Sequence, residues 1–222
     1  MDTIELLSRS YPLLLKGLVM TIQVLVGSAA ISFTLGTILG IFSCERLKKP
    51  LISPLVEAMT FVYRAVPFYV QLLIVYFVLP DLLGFNLEPF EASVISLGMC
   101  SSGYVAQMVR GGMNAIPAAQ WEAAFSLGYN TRQSLLFVIL PQMLRNVLPA
   151  FNNEFDALLK STAMVSSIGM LELTRAGMNL VSREMEPVPI YLTVAFFYLC
   201  LSALINLIAR KLERRIAYVK NS

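Results

Sequence analysis

The stretch Ile116-Pro-Ala-Ala-Gln-Trp-Glu-Ala-Ala-Phe-Ser-Leu-Gly128 separates two strongly apolar regions of the chain. Pro117 suits the first turn of a helix, and the residues after it favour helix. Gly128 predicts the helix end, at a turn that needs positive φ, and Thr131 predicts the cap of a second short helix running through Leu140. We therefore expect a small amphipathic helix between membrane spans. Four residues fall on one of its faces: Trp121, Ala124, Phe125 and Gly128.

The composition requires a membrane. Of the 222 residues, 57% are hydrophobic and only 14% are charged, whereas a soluble domain carries about a quarter charged residues. The net charge of +3 gives no reason to expect nucleic acid as a partner. The chain has no histidine, and Cys44, Cys100 and Cys200 are odd in number and far apart. We therefore expect neither a metal site nor a disulfide framework.

Five segments are long and apolar enough to span a bilayer, which takes about 20 residues. They cover about residues 11–42, 55–79, 92–113, 137–165 and 190–208. This pattern predicts an all-α integral membrane protein with five transmembrane helices in one domain, residues 1–222, and a loop over 114–136. The first span has small residues at steps of four, which allow another helix to approach closely. They are Ser28, Ser32, Gly36 and Gly40.

Prolines interrupt two of the spans. Pro67 interrupts the second, and Pro141 and Pro149 are expected to bend the fourth, because proline removes a backbone donor and clashes with the preceding turn. We treat Pro67, Pro141 and Pro149 as candidate hinges. They allow the two spans to rock around a mid-membrane cavity at the centre of a dimer, which opens to one side at a time.

Orientation follows from the distribution of basic residues, which concentrate on the cytoplasmic side. The other side holds mainly Arg9, Lys16, Arg175 and Arg183. An external N-terminus and a cytoplasmic C-terminus satisfy the rule, and they place the 114–136 loop in the cytoplasm, where ATP is. The richer side holds Arg46, Lys48, Lys49, Arg110, Arg132, Arg145, Arg210, Lys211, Arg214, Arg215 and Lys220.

Polar side chains within the spans are candidates for a substrate path, because a central charge costs about 2.5–3.5 kcal/mol and usually faces a cavity or a partner. Glu154 is a further charge in the fourth span. Asp156 and Lys160 have the favourable order for a helical ion pair. Alternatively, Asp156 faces the cavity and selects a cationic side chain. The candidates are Arg64, Gln71, Tyr104, Gln107, Asn153, Asp156 and Lys160.

A stripe along the third span has two interpretations. Small residues mark helix contacts, so the stripe is either a packing seam or a face of the translocation path. It consists of Ser93, Ser96, Cys100, Gly103, Gln107 and Arg110.

Three groups of residues carry a family resemblance. Glu122-Ala-Ala, Gly128 and Ile139-x-Pro141 resemble the EAA loop of ABC importer permeases. The longer string, with Ile116-Pro, Gln120-Trp, Leu127-Gly and Leu140-Pro-Gln, resembles the polar amino-acid uptake subfamily that carries histidine, glutamine, glutamate or arginine. Arg64-x-x-Pro67-x-x-x-Gln71 resembles that family's Arg-Gly-Thr-Pro-Leu-x-x-Gln signature, with departures at Ala65, Val66 and Phe68. Asn153-Glu-Phe155 and Lys160-x-Thr162 resemble its Asn-x-Phe and Lys-Asp-Thr-Ser-Leu.

The resemblance implies the type I (MetI-like) importer fold in a bacterial inner membrane. It implies a second permease subunit, identical or homologous, an ATPase dimer that binds ATP and Mg²⁺, an extracytoplasmic binding protein and an amino acid substrate. In that family the loop docks into the ATPase. The resemblance therefore assigns the ATPase contact to Gln120, Trp121, Glu122, Ala123, Ala124 and Gly128.

No catalytic role is expected for this chain, which lacks a Gly-x-x-x-x-Gly-Lys-[Ser/Thr] phosphate loop. Two alternatives remain. A secondary transporter or channel would explain the charges in the spans, but it would leave the 114–136 loop without a purpose, and it predicts inverted repeats that are not visible. An intramembrane enzyme is weakened by the absence of histidine, although an Asp156–Glu154 site is not excluded. The permease subunit of an ATP-driven importer fits more of the residues.

Overall fold

The helix α1 (Thr3–Phe42) packs in parallel against α4 (Pro89–Asn114) along its second half in the computed structural model, which describes residues 3–218. Lys220 lies outside those residues. All regular structure within them is helical, as predicted. The remaining helices are α2 (Ile52–Ala65), α3 (Phe68–Leu83), α5 (Ala118–Ser126), α6 (Thr131–Ile168), α7 (Leu173–Glu184) and α8 (Pro187–Tyr218).

Small residues bring α1 and α4 together. A Cβ atom added to Gly36 would lie 2.6 Å from Cβ of Val105, and one added to Gly40 would lie 2.6 Å from Cβ of Val109. The Ser32 and Ser101 hydroxyls lie 2.7 Å apart within the same contact. This confirms the predicted approach of another helix along Ser28, Ser32, Gly36 and Gly40.

The second span is broken rather than merely interrupted. The sequence predicted one span over residues 55–79, whereas α2 and α3 meet at an angle of 101°. Pro67 lacks a backbone donor and biases Val66 toward the extended conformation that Val66 adopts. The Gln71 side-chain amide donates 2.8 Å hydrogen bonds to the carbonyls of Tyr63 and Val66. It thereby satisfies acceptors that the end of α2 leaves free.

The fourth span and the predicted second loop helix are one helix, α6. We expected the short helix to end at Leu140, but nothing between Thr131 and Leu140 terminates it. The turns Ser134–Ile139 are π-helical. They precede Pro141, whose missing N–H cannot complete the α-helical ladder, and a wider turn accommodates that gap. Pro149 lies inside the following α-helical part.

The number of long apolar helices is consistent with the five predicted spans. Within residues 5–215, α1, α4, α6 and α8 are each long and apolar enough to cross a membrane, and α2 with α3 makes a fifth crossing if the bent pair is one span. The helix α5 lies at one end of this bundle, between α4 and α6. The helix α7 lies at the other end, between α6 and α8.

At the α7 end, a buried carboxylate joins three helices. Glu172 caps α7 by accepting from the N–H groups of Thr174 at 2.8 Å and Arg175 at 2.7 Å, and it accepts from the Tyr198 hydroxyl of α8 at 2.9 Å. Burial raises the pKa of the Glu172 carboxyl, although these hydrogen bonds act in the opposite direction. The next residue, Leu173, donates its N–H to Thr21 of α1 at 3.0 Å.

Candidate functional site

The short helix α5 is anchored by two buried side chains. Trp121 and Ala124 are each 2% exposed. The indole packs in an apolar cluster with residues of α4 and α6, including Met113, Ile139 and Met143. Phe125, which we placed on the same face, is instead half exposed, because it lies one residue past Ala124 and the helix turns it outward. The helix is therefore a rigid projection and not a free loop.

Gly128 ends α5 as predicted. Its φ of +83° is left-handed, which only glycine adopts without strain. Gly128 N–H donates to the Phe125 carbonyl at 2.9 Å, and Tyr129 N–H donates to the Ala124 carbonyl at 3.1 Å. This pair of bonds is a Schellman motif, which satisfies the last carbonyls of the helix.

The starts of α5 and α6 each differ from the prediction by one residue. Asn130 caps α6, not Thr131, because Asn130 is extended and its side chain accepts from the Gln133 N–H at 2.9 Å. The Gln133 side-chain oxygen in turn accepts a 3.0 Å hydrogen bond from the Asn130 N–H. Pro117 likewise lies just before α5, at its cap position, and not in its first turn.

The outward face of α5 is open. Gln120, Glu122 and Ala123 are exposed, as is Gly128. Gln120 also accepts a 3.1 Å hydrogen bond from the Gln142 amide of α6. This bond joins the exposed face of α5 to α6.

A cavity of about 420 Å³ lies beneath the break between α2 and α3. It combines a cationic, an acidic and several small or hydroxyl side chains within the bundle. Its walls come from three parts of the chain: the α2–α3 break, α4 and α6. The lining residues are Arg64, Ala65, Val66, Pro67, Phe68, Leu97, Cys100, Ser101, Tyr104, Glu154, Ala157, Leu158 and Ser161.

Glu154 is the acidic group of this cavity. Its carboxylate accepts a 2.6 Å hydrogen bond from the Ser101 hydroxyl, which lies 2.7 Å from the hydroxyl of Ser32. The carboxylate is therefore held by α4, and indirectly by α1, at the level where those helices are in closest contact. One of its oxygens carries this bond, and the carboxylate can still accept from a ligand.

The predicted path residues divide into two sets. Arg64 and Tyr104 line the cavity. Gln71 lies beside it and contacts Cys100 Sγ at 3.6 Å while holding the end of α2. The remaining four do not line it: Gln107, Asn153, Asp156 and Lys160.

Helical phase explains the position of Asp156, whereas Gln107 and Asn153 lie at other levels along their helices. Residues advance by about 100° around an α-helix, so Asp156 lies about 200° from Glu154, on the opposite side of α6. There Asp156 pairs with Lys160 at 2.6 Å and accepts a hydrogen bond from Ser202 of α8. The ion pair that we expected is present, and it faces α8 and not the cavity. Asn153 is exposed on α6, and Gln107 lies a turn beyond Tyr104 on α4.

Residues 32–218 match the protein family described as the binding-protein-dependent transport system inner membrane component. The chain belongs to this family of permeases. The family assignment made from the 114–136 loop is thus confirmed.

Related permeases match nearly the whole chain. The arginine transport system permease protein ArtQ of Bacillus subtilis is 33% identical over 205 residues, which cover 92% of this chain and 93% of that protein. The glutamine transport system permease protein GlnP of Escherichia coli K12 is 31% identical over 207 residues, with the same coverage. Both are permease subunits, so the chain is the permease subunit of an ABC importer and not its ATPase.

Solved structures confirm the fold of this permease. A crystal structure of an amino acid ABC transporter with histidines superposes with a TM-score of 0.85 at 31% identity, covering 97% of this chain and 99% of that one. The inward-facing MetNI methionine ABC transporter superposes with a TM-score of 0.79 at 21% identity, covering 92% and 96%. The predicted type I importer (MetI-like) fold is therefore correct.

The stripe on α4 of this permease takes part in a helix contact and also borders the cavity. Gly103 packs against α2, since an added Cβ would lie 2.9 Å from Cβ of Tyr63. Cys100, one turn away, lines the cavity. The role of Glu154 in the cavity was missed. Its phase with Ala157 and Ser161, three and seven residues on, was the available signal, since these two small residues leave space beside it.

Proposed function

We propose that this chain carries a polar amino acid across a bacterial inner membrane, driven by ATP that a separate ATPase dimer hydrolyses. The observation that carries the proposal is the construction of α5: Trp121 and Ala124 are buried, whereas Gln120, Glu122 and Ala123 are exposed. A helix that is packed against its own bundle on one side and exposed on the other is suited to dock into a partner protein. The ATPase would hold the ATP and Mg²⁺.

Gly128 sets the end of this coupling surface. Because the chain turns at Gly128 and enters α6 directly, displacement of α5 is transmitted to a helix that lines the cavity. The bond between Gln120 and Gln142 provides a second connection. Movement driven by the ATPase can thus reach Glu154 through α6 without an intervening flexible loop.

The orientation is proposed from the basic residues, with an external N-terminus and a cytoplasmic C-terminus. The α5 end of the bundle then faces the ATPase, and the α7 end faces the extracytoplasmic binding protein that delivers the substrate. Positive charges are enriched on the cytoplasmic side of membrane proteins. Arg46, Arg132 and Arg145 follow this rule at the α5 end.

The cavity suits an amino acid zwitterion. Arg64 offers a cation for the substrate carboxylate, and Glu154 offers an anion for an ammonium group. Tyr104 and Ser161 supply further hydroxyls. The relatives named for arginine and glutamine transport support a polar amino acid as the substrate.

A second permease subunit, identical or homologous, completes the path. The exposed side of α6 is polar, with Asn146, Asn153 and Lys160. Polar side chains in a spanning helix usually face a partner or a water-filled path and not lipid. Asn153 and Lys160 are therefore proposed to lie beside the path between the two subunits, with Asp156 holding Lys160 from the side of α8. Gln107 is proposed to lie further along the path. The break at Pro67, and Pro141 and Pro149 within α6, would let the spans rock between outward-open and inward-open states.

Reconstitution tests the proposal. The permease, its ATPase and its binding protein are incorporated into vesicles, and uptake of radiolabelled amino acids is measured with and without ATP. ATP-dependent accumulation that also requires the binding protein supports the proposal. Accumulation that follows an ion gradient without ATP would identify a secondary transporter and overturn it.

A further inference from the structure

The outer face of α8 carries an exposed apolar stripe. Leu192, Phe196, Leu199 and Leu207 follow one another at helical spacing and are each between 62% and 66% exposed. Only 6% of the most apolar part of this helix is buried within residues 5–215. A stripe of this kind in a spanning helix is the surface that meets lipid acyl chains.

The same face ends in a basic cluster, which consists of Arg210, Lys211, Arg214 and Arg215. Arg210 and Arg214 lie three and seven residues after Leu207, so they continue the apolar stripe. With Leu207, the four basic side chains form one open patch on the surface of α8. Within residues 5–215 none of them forms an ion pair with a carboxylate.

The position of the basic cluster along α8 corresponds to the surface of a bilayer. From Pro187 to Leu207 the helix rises about 30 Å at 1.5 Å per residue, close to one hydrocarbon thickness. The arginines therefore follow the apolar stripe at headgroup level. Guanidinium groups present parallel donors that match phosphate oxygens.

We propose that the basic cluster binds the phosphate headgroup of an anionic phospholipid whose acyl chains lie along the apolar stripe of α8. The proposal rests on the proposed orientation, in which this end of α8 meets the cytoplasmic leaflet. Charge complementarity and the continuity of the two surfaces favour lipid over protein. Clusters of four or more basic residues directly cytoplasmic of a spanning helix have this property.

Lipid retention provides the test. The complete importer is purified in mild detergent with equal phosphatidylglycerol and phosphatidylcholine, and native mass spectrometry counts the lipids retained. The Arg210→Gln/Arg214→Gln variant is compared with Arg46→Gln/Arg132→Gln, which removes the same charge at the same end, away from α8. We expect the wild type to retain phosphatidylglycerol preferentially, with an at least fivefold loss in the first variant alone. Equal retention of the two lipids, or equal loss in both variants, overturns the proposal.

Protein partners give different outcomes in the same experiment. If the basic cluster docks on the ATPase, the first variant loses that subunit and keeps its phosphatidylglycerol. If it docks on a second permease copy, the permease pair separates and the lipid remains. Either result overturns the proposal. The number of retained lipids can be measured whether or not the importer transports. Absence of ATP-driven uptake would therefore contradict the proposed function without affecting the lipid test.

Discussion

The ammonium of Lys160 lies 2.6 Å from a carboxylate oxygen of Asp156, four residues earlier on α6. The other carboxylate oxygen of Asp156 accepts from the Ser202 hydroxyl of α8. The pair therefore neutralises its charges locally and ties α6 to α8. It occupies the side of α6 that faces away from the cavity, so the acidic group that lines the cavity is Glu154.

Asp156→Asn should leave substrate preference unchanged and lower stability. The substitution leaves Lys160 without its anion, while an amide oxygen can still accept from Ser202. Because Lys160 is well exposed, we expect a loss of no more than about 1 kcal/mol. Thermal unfolding of the purified complex and competition between a basic and a neutral amino acid measure the two effects. A changed ratio of the two uptakes would show that Asp156 reaches the substrate.

Gly128→Val should disrupt the contact through which the permease and the ATPase stimulate each other. A side chain at the φ of +83° is strained by roughly 1–2 kcal/mol, so the end of α5 must shift, although no atom lies within 4 Å of the added Cβ. We expect loss of uptake and of stimulated ATPase activity with normal membrane insertion. Gly111→Val is the matched control, since Gly111 also faces open space and its φ is not positive. Equal activity in the two variants would contradict the coupling role of Gly128.

The features that could be predicted from the sequence are those that depend on a residue type within a short stretch of chain. Gly36 and Gly40 indicated a close helix contact, Pro67 an interruption and Gly128 a positive φ, because each depends on a residue type in a local pattern. The angle between α2 and α3, and the choice of Glu154 over Asp156 as the cavity acid, depend on which helices pack against those residues. Both acids are charges in one span, and only the partners Ser101 and Ser202 distinguish them.

Adding a methyl group along the contact of α1 with α4 should destabilise the bundle in a graded way. At Gly36 the new Cβ would lie 2.6 Å from Cβ of Val105, whereas at Gly27 it would lie 3.1 Å from a methyl group of Val94. Overpacking typically costs about 1–3 kcal/mol. Thermal unfolding should therefore rank wild type above Gly27→Ala and Gly27→Ala above Gly36→Ala. The reverse order would contradict the tight contact.

Glu172 should make stability depend on pH. Burial raises the pKa of its carboxyl in the folded state. Its contribution to stability is therefore complete below the pKa of the unfolded chain and is lost as the pH rises through the folded pKa. Glu172→Gln mimics the neutral form, so its unfolding temperature should change less than that of wild type as the pH rises above about 4.3, the pKa of an unperturbed glutamate.

Glu172→Ala separates the charge of this group from its hydrogen bonds. The change removes the cap of α7 and the carboxylate acceptor of the Tyr198 hydroxyl, so we expect a loss of about 1–2 kcal/mol at low pH that becomes smaller as the pH rises. Glu172→Gln keeps an acceptor and should lose much less. If both variants melt alike and show the same pH profile as wild type, the carboxyl does not titrate in this range.

Glu154→Gln should weaken substrate uptake far more than it weakens the fold. The amide oxygen can still accept from Ser101, so the contact of α6 with α4 is kept, while the anion that faces the cavity is removed. A hydrogen bond to a charged group contributes about 1.5–3 kcal/mol, so the KM for uptake should rise roughly tenfold or more. Asp156→Asn is the matched control, because it removes the same charge from the opposite face of α6 two residues away. Vesicle uptake over a range of binding-protein-loaded substrate gives KM and maximal rate for both variants. If the KM rises equally in the two, the effect is one of overall charge on α6, and the cavity is not where the amino acid binds.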